Sequence, residues 1–480
     1  MKLKKLFKDI ENVEIKGSKE IEITGICSNS KYISPGNLFV AKRGRCFDGY
    51  NFINRVVESG ASSILCDIYD PFLENIVQII SKDVEKVESE VAVRYYEYPS
   101  KDLFLIGITG TNGKTTTSYL IKHILNKEKK NCGLLGTIEY IFGNNRIFSS
   151  LTTPDNILLQ KYLREMITQN SKYCVMEVSS HGLAQNRIKN IDYKIAIFTN
   201  ITREHLDYHN TFENYLNAKK KLFDSLKFDA LAIVNRDDPF FPDLIKDSKA
   251  RIFTFGIDNK ADIYARNVKF DLNGMEFEVF YKDKREKIKT KLIGKFNVYN
   301  ILAAISFAIE MGIDFKNIKS YISSFSSVKG RMEKVEHSDF YVFIDYAHTE
   351  NSMMNVLTTL REIKKRKIIT VFGCGGDRDK DKRSKMGEIA SNLSDYSILT
   401  SDNPRTENIE DIIKDIVKGF FKNNYEVEID RKKAIEKAIN LAKKDDIIII
   451  LGKGHETYQI FANKTLFFDD RKVVEEIFGS

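Results

Sequence analysis

The sequence has no long apolar run, no paired-cysteine motif and no cluster of basic and aromatic residues. No stretch of about 18 apolar residues occurs, so no segment is expected to span a membrane. The net charge of +8 comes from lysines scattered over the whole chain, which argues against binding of nucleic acid. The opening residues, MKLKKLFKDIENVEI, turn acidic at once and lack the apolar core of a secretion signal, so we expect a protein that is not secreted.

Cysteine is scarce and is not arranged as a metal site. The six cysteines, at positions 27, 46, 66, 132, 174 and 374, show neither CxxC nor another metal-binding spacing. Several of them lie in apolar, strand-like runs. This pattern is typical of reduced core residues and predicts a cytoplasmic protein.

What the sequence does have is length and a repeated alternation of strands and helices. A chain of 480 residues is too long for one hydrophobic core. Residues 1–98 predict a small α/β domain. Residues 99–329 predict a mainly parallel sheet covered on both faces, with an antiparallel hairpin over 262–292 around an Asn-Gly turn. In residues 330–480 the pattern restarts with five strands and intervening helices, which predicts a Rossmann-like domain.

The stretch LFLIGITGTNGKTTTSYLIKHIL, residues 103–125, predicts a strand, a phosphate-binding loop and a helix. Its glycines let backbone N–H groups turn toward an anion, and the helix N-terminus adds the positive end of its dipole. Lys114 can reach the β- and γ-phosphates, and the Thr115 hydroxyl can bind Mg²⁺. The strict G-x-x-x-x-G-K-[ST] pattern is not met, because Gly107 sits one place early. The flanking strand and helix nevertheless predict a protein that handles a nucleoside triphosphate.

Other polar clusters follow predicted strands, where ligands of open parallel sheets collect. They are EVSSHG, TNITREHLDYH, DYAHT, GCGGDRD, SDNPR and GKGHE, and they contain five of the seven histidines. Glu177 closes a strand parallel to the phosphate-loop strand, where P-loop enzymes place a Mg²⁺-directed carboxylate. His205 is a candidate second metal ligand. The alternatives are a solvated glutamate at a strand end and a histidine that forms a hydrogen bond at a helix start.

Taken together, GITGTNGKTT, EVSSHGL, TNITREHLDYH, NAKKKLF, GKFNVYN, KGRME, DYAHT, GCGGDRD, DNPR and GKGHE resemble the Mur ligases over nearly the whole chain. The resemblance implies an ATP- and Mg²⁺-dependent amide ligase of peptidoglycan synthesis, which adds the third amino acid of the stem peptide. It implies that residues 1–98 bind the UDP-linked precursor UDP-N-acetylmuramoyl-L-alanyl-D-glutamate. Residues 99–329 would bind ATP, and residues 330–480 would bind the amino acid. We expect a monomer.

On the nucleotide side, the resemblance implies ATP contacts in the phosphate loop, in GKFNVYN and at the start of the third domain. These residues are Gly110, Thr111, Asn112, Gly113, Lys114, Thr115, Thr116, Asn297, Asn300, Arg331, Asp345 and His348. For the third-domain members, salt-bridge or capping roles are the simpler alternative. Lys219 of NAKKKLF matches a lysine that the family N-carboxylates, because a carbamate can bind Mg²⁺ and an ammonium cannot. Thr115, Glu177, His205 and Lys219 are the implied Mg²⁺ ligands, and the last three join Lys114 as catalytic residues.

On the side of the UDP-linked precursor, the implied contacts are Ser30, Thr152, Thr153, Ser179, Gln185 and Arg187. Ser30 stands in an N-S-K triplet where the family has D-S-R. Thr152 and Thr153 could instead cap a helix, since Pro154 follows them directly.

The third substrate is expected to be meso-diaminopimelate, from the form of the DNPR motif. The implied contacts are Arg378, Asp402, Asn403, Arg405, Gly452 and Glu456. Arg405 would form a planar, bidentate pair with the distal carboxylate, which lysine lacks. The alternative for DNPR is a turn with a surface arginine. For the function, the alternatives are the same ligase reaction with L-lysine or another diamino acid, a ligase like folylpolyglutamate synthase, and a regulatory P-loop ATPase that forms no bond.

Overall fold

The computed structural model of the chain describes residues 1–43 and 48–479. These residues form two compact units, and neither unit is a single stretch of sequence. Unit 1 contains residues 1–107, 129–196 and 225–230, and unit 2 contains residues 108–128, 197–224 and 231–480. Both units mix helices with mostly parallel strands, so the α/β class predicted from the sequence is confirmed.

The first hundred residues fold around a five-stranded sheet with the strand order β1-β5-β4-β3-β2. Four of its strands are parallel to their neighbours, and β1 is antiparallel to β5. Apolar clusters cover both faces of the sheet. The elements are α1 (Leu3–Leu6), β1 (Glu14–Lys16), β2 (Gly25–Cys27), β3 (Asn37–Val40), α2 (Ile53–Glu58), β4 (Ser63–Cys66), β5 (Val77–Ile80) and α3 (Val84–Tyr95).

The next stretch of chain contributes elements to both units. They are β6 (Phe104–Thr109), α4 (Lys114–Lys127), β7 (Cys132–Leu135), β8 (Glu139–Phe142), β9 (Asn145–Phe148), α5 (Asn156–Thr168), β10 (Tyr173–Glu177), α6 (Ser180–Ala184), β11 (Tyr193–Phe198), α7 (Leu206–His209), α8 (Phe212–Asp224), β12 (Leu231–Asn235), α9 (Phe241–Ile245), β13 (Arg251–Gly256), β14 (Ile263–Asp271), β15 (Gly274–Tyr281), β16 (Lys284–Thr290), α10 (Lys295–Glu310) and α11 (Phe315–Ser324).

In unit 1, β10 pairs with β7 in parallel, and β8 and β9 extend the pairing antiparallel. In unit 2, β12, β13 and β14 are parallel, and β15 and β16 follow antiparallel. The hairpin predicted over 262–292 is therefore a meander of three strands. The Asn-Gly turn joins β14 to β15, and a second turn at Lys282-Asp283 adds β16.

Helix α3 is fastened to α5 within unit 1. Asn156 Nδ2, at the start of α5, donates to Ser89 Oγ at 3.3 Å. Arg164 Nε, two turns later, donates to the Tyr96 carbonyl at 2.9 Å. Polar contacts in the middle and at the C-terminal end of α3 thus join the last helix of the predicted N-terminal domain to a helix of the predicted central domain.

The last 150 residues form a six-stranded sheet with the order β17-β18-β22-β19-β20-β21. All five residues of β22, IIIIL, are fully buried, as expected for a central parallel strand covered on both faces. Helices pack on both sides over two apolar clusters. The elements are β17 (Glu333–Val335), β18 (Tyr341–Asp345), α12 (Glu350–Ile363), β19 (Ile368–Phe372), α13 (Asp381–Leu393), β20 (Tyr396–Leu399), α14 (Ile409–Val417), β21 (Tyr425–Val427), α15 (Arg431–Leu441), β22 (Ile447–Leu451), β23 (Tyr458–Phe461), β24 (Lys464–Phe467) and α16 (Asp470–Gly479).

Within residues 1–43 and 48–479, no helix is both long enough and apolar enough to cross a bilayer. The cysteines at 27, 66, 132, 174 and 374 are free and buried, which confirms the prediction of reduced core residues for these five. Cys46 lies outside the described residues.

Candidate active site

The phosphate loop lies between β6 and α4, as predicted. Gly113 has a φ of +89°, and a Cβ at this position would overlap Asn300 Oδ1, so the turn requires glycine. The loop is held from the β11 side of unit 2, where Thr199 Oγ1 donates to the Asn112 carbonyl at 2.6 Å. In addition, the Asn112 N–H donates to Asn200 Oδ1 at 2.9 Å. Two consecutive residues after β11 therefore hold the loop at Asn112.

Lys114 begins α4 and bends back over the loop. Its Nζ donates to the carbonyls of Gly110 at 2.8 Å and Thr111 at 2.9 Å. This places a positive charge at the mouth of the loop, where the helix N-terminus also favours an anion.

Lys219 approaches the same loop from α8 and is 1% exposed. Its Nζ donates to the Gly110 carbonyl at 2.9 Å and lies 4.5 Å from the centre of the Tyr215 ring. Burial, and next the charge of Lys114, hold the pKa of the Lys219 amine well below its ordinary value, while Glu204 acts in the opposite direction. The neutral amine that this favours is the form that can react with CO₂ to give a carbamate.

His205 stands just before α7 in the left-handed backbone region, with a φ of +57°. Its Nε2 lies 3.8 Å from a carboxylate oxygen of Glu204, and its ring meets the Tyr215 ring edge-on at 6.3 Å. It therefore lies on the Lys219 side of the loop, at a helix start.

Asn297 and Asn300 lie on one face of α10 and are buried. Asn300 Nδ2 donates to Asn297 Oδ1 at 2.9 Å, and Thr117 Oγ1 donates to Asn300 Oδ1 at 3.4 Å. The pair thus joins α10 to α4 directly beside Gly113.

Residues after the start of the third predicted domain also reach the phosphate loop within unit 2. Arg331 Nη2 donates to Thr115 Oγ1 at 3.3 Å, and the guanidinium lies 4.6 Å from the centre of the Tyr346 ring. Asn112 Nδ2 donates to Asn351 Oδ1, near the start of α12, at 3.3 Å. Arg331 is therefore placed to meet phosphate oxygens bound at the loop.

Asp345 and His348 lie behind Arg331. The Asp345 carboxylate accepts the backbone N–H groups of Met332 at 2.6 Å and Ala347 at 2.7 Å. Burial raises the pKa of this carboxyl, and Arg331 opposes the shift. Burial, aided by Lys382, lowers the pKa of His348 to about 4. His348 is consequently a neutral imidazole at neutral pH, and its Nδ1 lies 2.9 Å from the Tyr346 carbonyl.

A second polar group gathers at the carboxyl ends of β19, β20 and β22. Asn403 Nδ2 donates to Glu456 Oε2 at 2.9 Å. Lys453 Nζ, which is fully buried, donates to the same Glu456 oxygen at 3.0 Å and to Asn403 Oδ1 at 3.2 Å. Burial raises the pKa of the Glu456 carboxyl. Asp402 lies against Gly452, whose φ is +107°.

Two arginines border this group. Arg405 is half-buried, and its Nη1 donates to the Gly376 carbonyl at 2.7 Å and the Asn403 carbonyl at 3.4 Å. Arg378 is exposed and donates to the Asp377 carbonyl at 3.2 Å. The cluster combines cationic groups with a carboxylate and an amide, which suits a zwitterionic amino acid.

Unit 1 holds a separate polar cluster around Glu177, which is fully buried at the end of β10. Its carboxylate accepts the Thr137 N–H at 3.0 Å and the Thr137 hydroxyl at 2.8 Å, and the same hydroxyl lies 3.1 Å from Thr152 Oγ1. Thr153 Oγ1 donates to the Glu177 carbonyl at 3.0 Å and lies 3.1 Å from Ser179 Oγ.

The cluster extends to two further predicted residues. Arg187 Nη1 donates to the Thr153 carbonyl at 2.9 Å, and Arg187 Nε donates to Gln185 Oε1 at 3.0 Å. Ser30 lies in a separate turn of the same unit, after β2. The structure therefore brings together five of the six residues that were predicted to bind the precursor. Glu177, which was predicted as a Mg²⁺ ligand, lies in the same cluster.

Comparison with known proteins gives consistent matches along the chain. Family models match residues 22–103 ("Mur ligase family, catalytic domain"), residues 108–308 ("Mur ligase middle domain") and residues 330–454 ("Mur ligase, glutamate ligase domain"). A protein of Clostridium acetobutylicum, named UDP-N-acetylmuramoyl-L-alanyl-D-glutamate–2,6-diaminopimelate ligase 1, is 44% identical over 99% of both chains. The chain belongs to the Mur ligase family.

Two further similarities span the chain. The Chlamydia felis protein named UDP-N-acetylmuramoyl-L-alanyl-D-glutamate–2,6-diaminopimelate ligase is 42% identical over 100% of both chains. A solved structure named as the same ligase has 30% identity and a TM-score of 0.70, and it covers 100% of this chain and 99% of its own. The family predicted from the motifs is therefore confirmed.

Oxygen ligands for Mg²⁺ are available at the phosphate loop of this Mur ligase. The Thr115 hydroxyl is buried there, and a carbamate on Lys219 would add a carboxylate-like oxygen. Mg²⁺ is usually bound by one or two such protein ligands together with substrate phosphates, so these residues fit the ion. Among the described residues, no group of three or more His, Cys, Asp and Glu is arranged to hold a metal.

Three residues of this Mur ligase were missed in the sequence. Thr137 holds Glu177, Lys453 holds Glu456, and Glu204 faces Lys219. Thr137 and Lys453 stand beside glycines at strand ends, and Glu204 stands next to His205. Their positions in the sequence could therefore have marked all three as candidate site residues. What the sequence could not supply is the identity of the distant side chain that each residue contacts.

Proposed function

We propose that this Mur ligase joins meso-diaminopimelate to the D-glutamate γ-carboxylate of UDP-N-acetylmuramoyl-L-alanyl-D-glutamate, at the expense of ATP. Full-length similarity to ligases with this name supports the reaction. The observation that carries the choice of amino acid is the cluster of Asn403, Arg405 and Glu456 at the carboxyl ends of the third-domain strands. We further propose that residues 1–98, 99–329 and 330–480 serve the precursor, ATP and the amino acid, in a cytoplasmic monomer.

The first chemical step is attack of the γ-carboxylate of the precursor on the γ-phosphorus of ATP. In the proposal, the backbone N–H groups of the loop at 110–113 and the Lys114 ammonium absorb the charge that develops on the phosphate oxygens. Arg331, which already contacts Thr115 Oγ1, adds a second cation. The Thr115 hydroxyl, with a carbamate on Lys219, would hold Mg²⁺ at the loop, and the ion would supply further positive charge to the phosphate oxygens.

The second step is attack of the amino acid's amine on the acyl phosphate, followed by loss of phosphate from a tetrahedral intermediate. The Asn403–Glu456 pair would hold an ammonium of the amino acid, and Arg405 the distal carboxylate. The cluster of Thr152, Thr153, Ser179 and Arg187 would hold the muramoyl-dipeptide in place, with Ser30 on the uridine side. Water must stay out, because the acyl phosphate would otherwise hydrolyse.

The test uses purified protein with ATP, Mg²⁺ and the UDP-linked dipeptide, with meso-diaminopimelate, lanthionine, L-lysine or no amino acid added. We expect a product whose mass equals the precursor plus diaminopimelate minus water, formed together with one phosphate. Equal rates with lysine and diaminopimelate would contradict the specificity and leave the ligase reaction standing. Phosphate release that depends on the precursor but needs no amino acid would favour a regulatory ATPase instead.

A further inference from the structure

An ion cluster lies next to the proposed amino-acid site, and it is made of Arg383 on α13, Glu407 just before α14 and Asp415 on α14. Arg383 is fully buried. Its Nη1 donates to Glu407 Oε2 at 3.0 Å and to Asp415 Oδ2 at 3.1 Å, and its Nη2 donates to Glu407 Oε1 at 2.9 Å. The pair of Arg383 with Glu407 is thus bidentate, the geometry that fixes both partners most firmly.

The Glu407 carboxylate also holds the loop that carries Arg378. Its Oε1 accepts the Asp377 N–H at 2.6 Å, and Arg383 Nη2 donates to the Gly375 carbonyl at 3.4 Å. The loop between β19 and α13 is therefore fastened at two backbone positions on either side of Gly376. Arg378 is the next residue after Asp377.

The same contacts support the loop that carries Arg405. The Gly376 N–H donates to the Asn403 carbonyl at 2.9 Å, and Arg405 Nη1 donates back to the Gly376 carbonyl at 2.7 Å. Glu407 itself follows Arg405 by two residues, and its N–H donates to the Pro404 carbonyl at 3.1 Å. One carboxylate thus connects the backbone supports of both arginines.

Backbone strain shows why such a support is needed. Asp377 and Arg405 both have positive φ values, +54° and +52°, in a region that side chains other than glycine rarely adopt. Residues in such conformations persist where the surroundings fix them. A side-chain hydrogen bond from Thr406 Oγ1 to Asp377 Oδ1, at 2.7 Å, joins one strained residue to the neighbour of the other.

We propose that Glu407 and Arg383 are positioning residues for recognition of the amino acid's distal carboxylate. They touch no substrate; they hold the two loops so that Arg378 and Arg405 point at one site. The inference rests on the proposed function, because it concerns how the diamino acid of that reaction is selected. The inference adds that Glu407 and Arg383, which lie behind the binding residues Arg378 and Arg405, contribute to the choice of amino acid.

The test compares Glu407→Gln with wild type in the complete ligase assay. The amide keeps the shape of the side chain but removes the charge that pairs with Arg383. We expect the KM for diaminopimelate to rise by about 10- to 100-fold, as for a misplaced binding group, while the KM values for ATP and the precursor change by less than about twofold. Lysine lacks the distal carboxylate, so the already low ligation rate with lysine should fall less than the rate with diaminopimelate. The ratio of the two rates should therefore decrease.

The matched control is Glu410→Gln, which removes the same charge from an exposed position at the start of α14 and should leave all KM values unchanged. Thermal midpoints of all variants show whether each is folded. Should Glu407→Gln not accumulate as folded protein, Glu407→Asp provides the comparison, because it keeps the charge but withdraws it from the Asp377 N–H.

Two results overturn the inference. One is a folded variant whose KM for diaminopimelate equals that of wild type, and the other is an equal proportional loss with diaminopimelate and lysine. A wild-type protein that ligates no diamino dicarboxylic acid would overturn the proposed function together with this inference. Wild-type use of diaminopimelate with an unchanged Glu407→Gln variant would overturn the inference alone.

Discussion

Replacing Lys219 by alanine should remove most ligase activity, because the structure favours a reactive, neutral amine at this position. The amines of Lys219 and Lys114 both donate to the Gly110 carbonyl, at 2.9 Å and 2.8 Å. Because both nitrogens contact the same oxygen, they lie at most about 5.7 Å apart, and two unit charges at that separation repel by about 3 kcal/mol at an effective dielectric constant near 20. Burial, and next this repulsion, lower the pKa of the Lys219 amine well below its ordinary value, and Lys219 is the more deeply buried of the two lysines.

A neutral amine attacks CO₂, forms an N–C bond and releases one proton, which leaves an anionic carbamate in place of the neutral amine. We expect Lys219→Ala to lose about 10²- to 10³-fold in kcat, the usual cost of removing one electrostatic contact to the reacting group. Added acetate or formate should restore part of the rate by occupying the vacated position. Lys221→Ala, on the exposed side of the same helix, is the matched control and should keep wild-type activity.

The assay measures the rate of tripeptide formation with and without short carboxylic acids. In parallel, ¹³C NMR in ¹³C-labelled bicarbonate should show a carbamate signal in wild type and in Lys221→Ala, and none in Lys219→Ala. Wild-type rates in a folded Lys219→Ala variant would refute the reasoning. So would a carbamate signal that is the same in all three proteins.

Three other predictions concern Lys114, Arg405 and His348. Lys114→Ala should abolish ATP turnover while the thermal midpoint stays near that of wild type, and a folded variant with normal turnover would remove the phosphate-loop assignment. Arg405→Ala should lower kcat/KM for diaminopimelate by about 10- to 150-fold, since a half-buried hydrogen bond to a charged group contributes about 1.5–3 kcal/mol; nucleotide binding should be unchanged. The pKa of His348 is lowered to about 4 from 6.5, so the unfolded chain binds a proton that the folded chain does not between these two pH values. Stability should therefore be complete above pH 6.5 and fall by about 3 kcal/mol as pH drops toward 4, and His348→Gln should flatten that fall in thermal midpoints.

Much of the fold could be predicted because a buried parallel strand is recognisable from a short apolar run of consecutive residues. β22 is an unbroken run of apolar residues, and the strand, glycine turn and helix around Lys114 follow one another without interruption. The five parallel strands expected in the last 150 residues are all present. Polar residues at strand ends indicated where a candidate site lies, since parallel strands bring their carboxyl ends to one edge.

The rest depends on contacts between residues far apart in the chain. β16 was missed because its sequence, KREKIKT, is mostly charged and becomes a strand only by pairing with β15. Glu407 gave no signal either, since its partner Arg383 is 24 residues away on another element. The exposure of Arg405 could not be read from the sequence either: the structure leaves it half-exposed, which limits the discrimination that it can supply.

The interleaving of the two units along the chain has a consequence for how the protein is made. Unit 1 needs residues up to 230, and helix α3 rests against α5 through Asn156 and Arg164. A ribosome that has released only the first hundred residues has therefore exposed a helix whose partner is not yet synthesised. Contacts between residues that are far apart in the chain form slowly, so unit 1 is expected to fold slowly and only after α5 has been synthesised. A fragment cut at residue 98 would carry an uncovered face of α3, so the shortest piece able to bury it extends through α5.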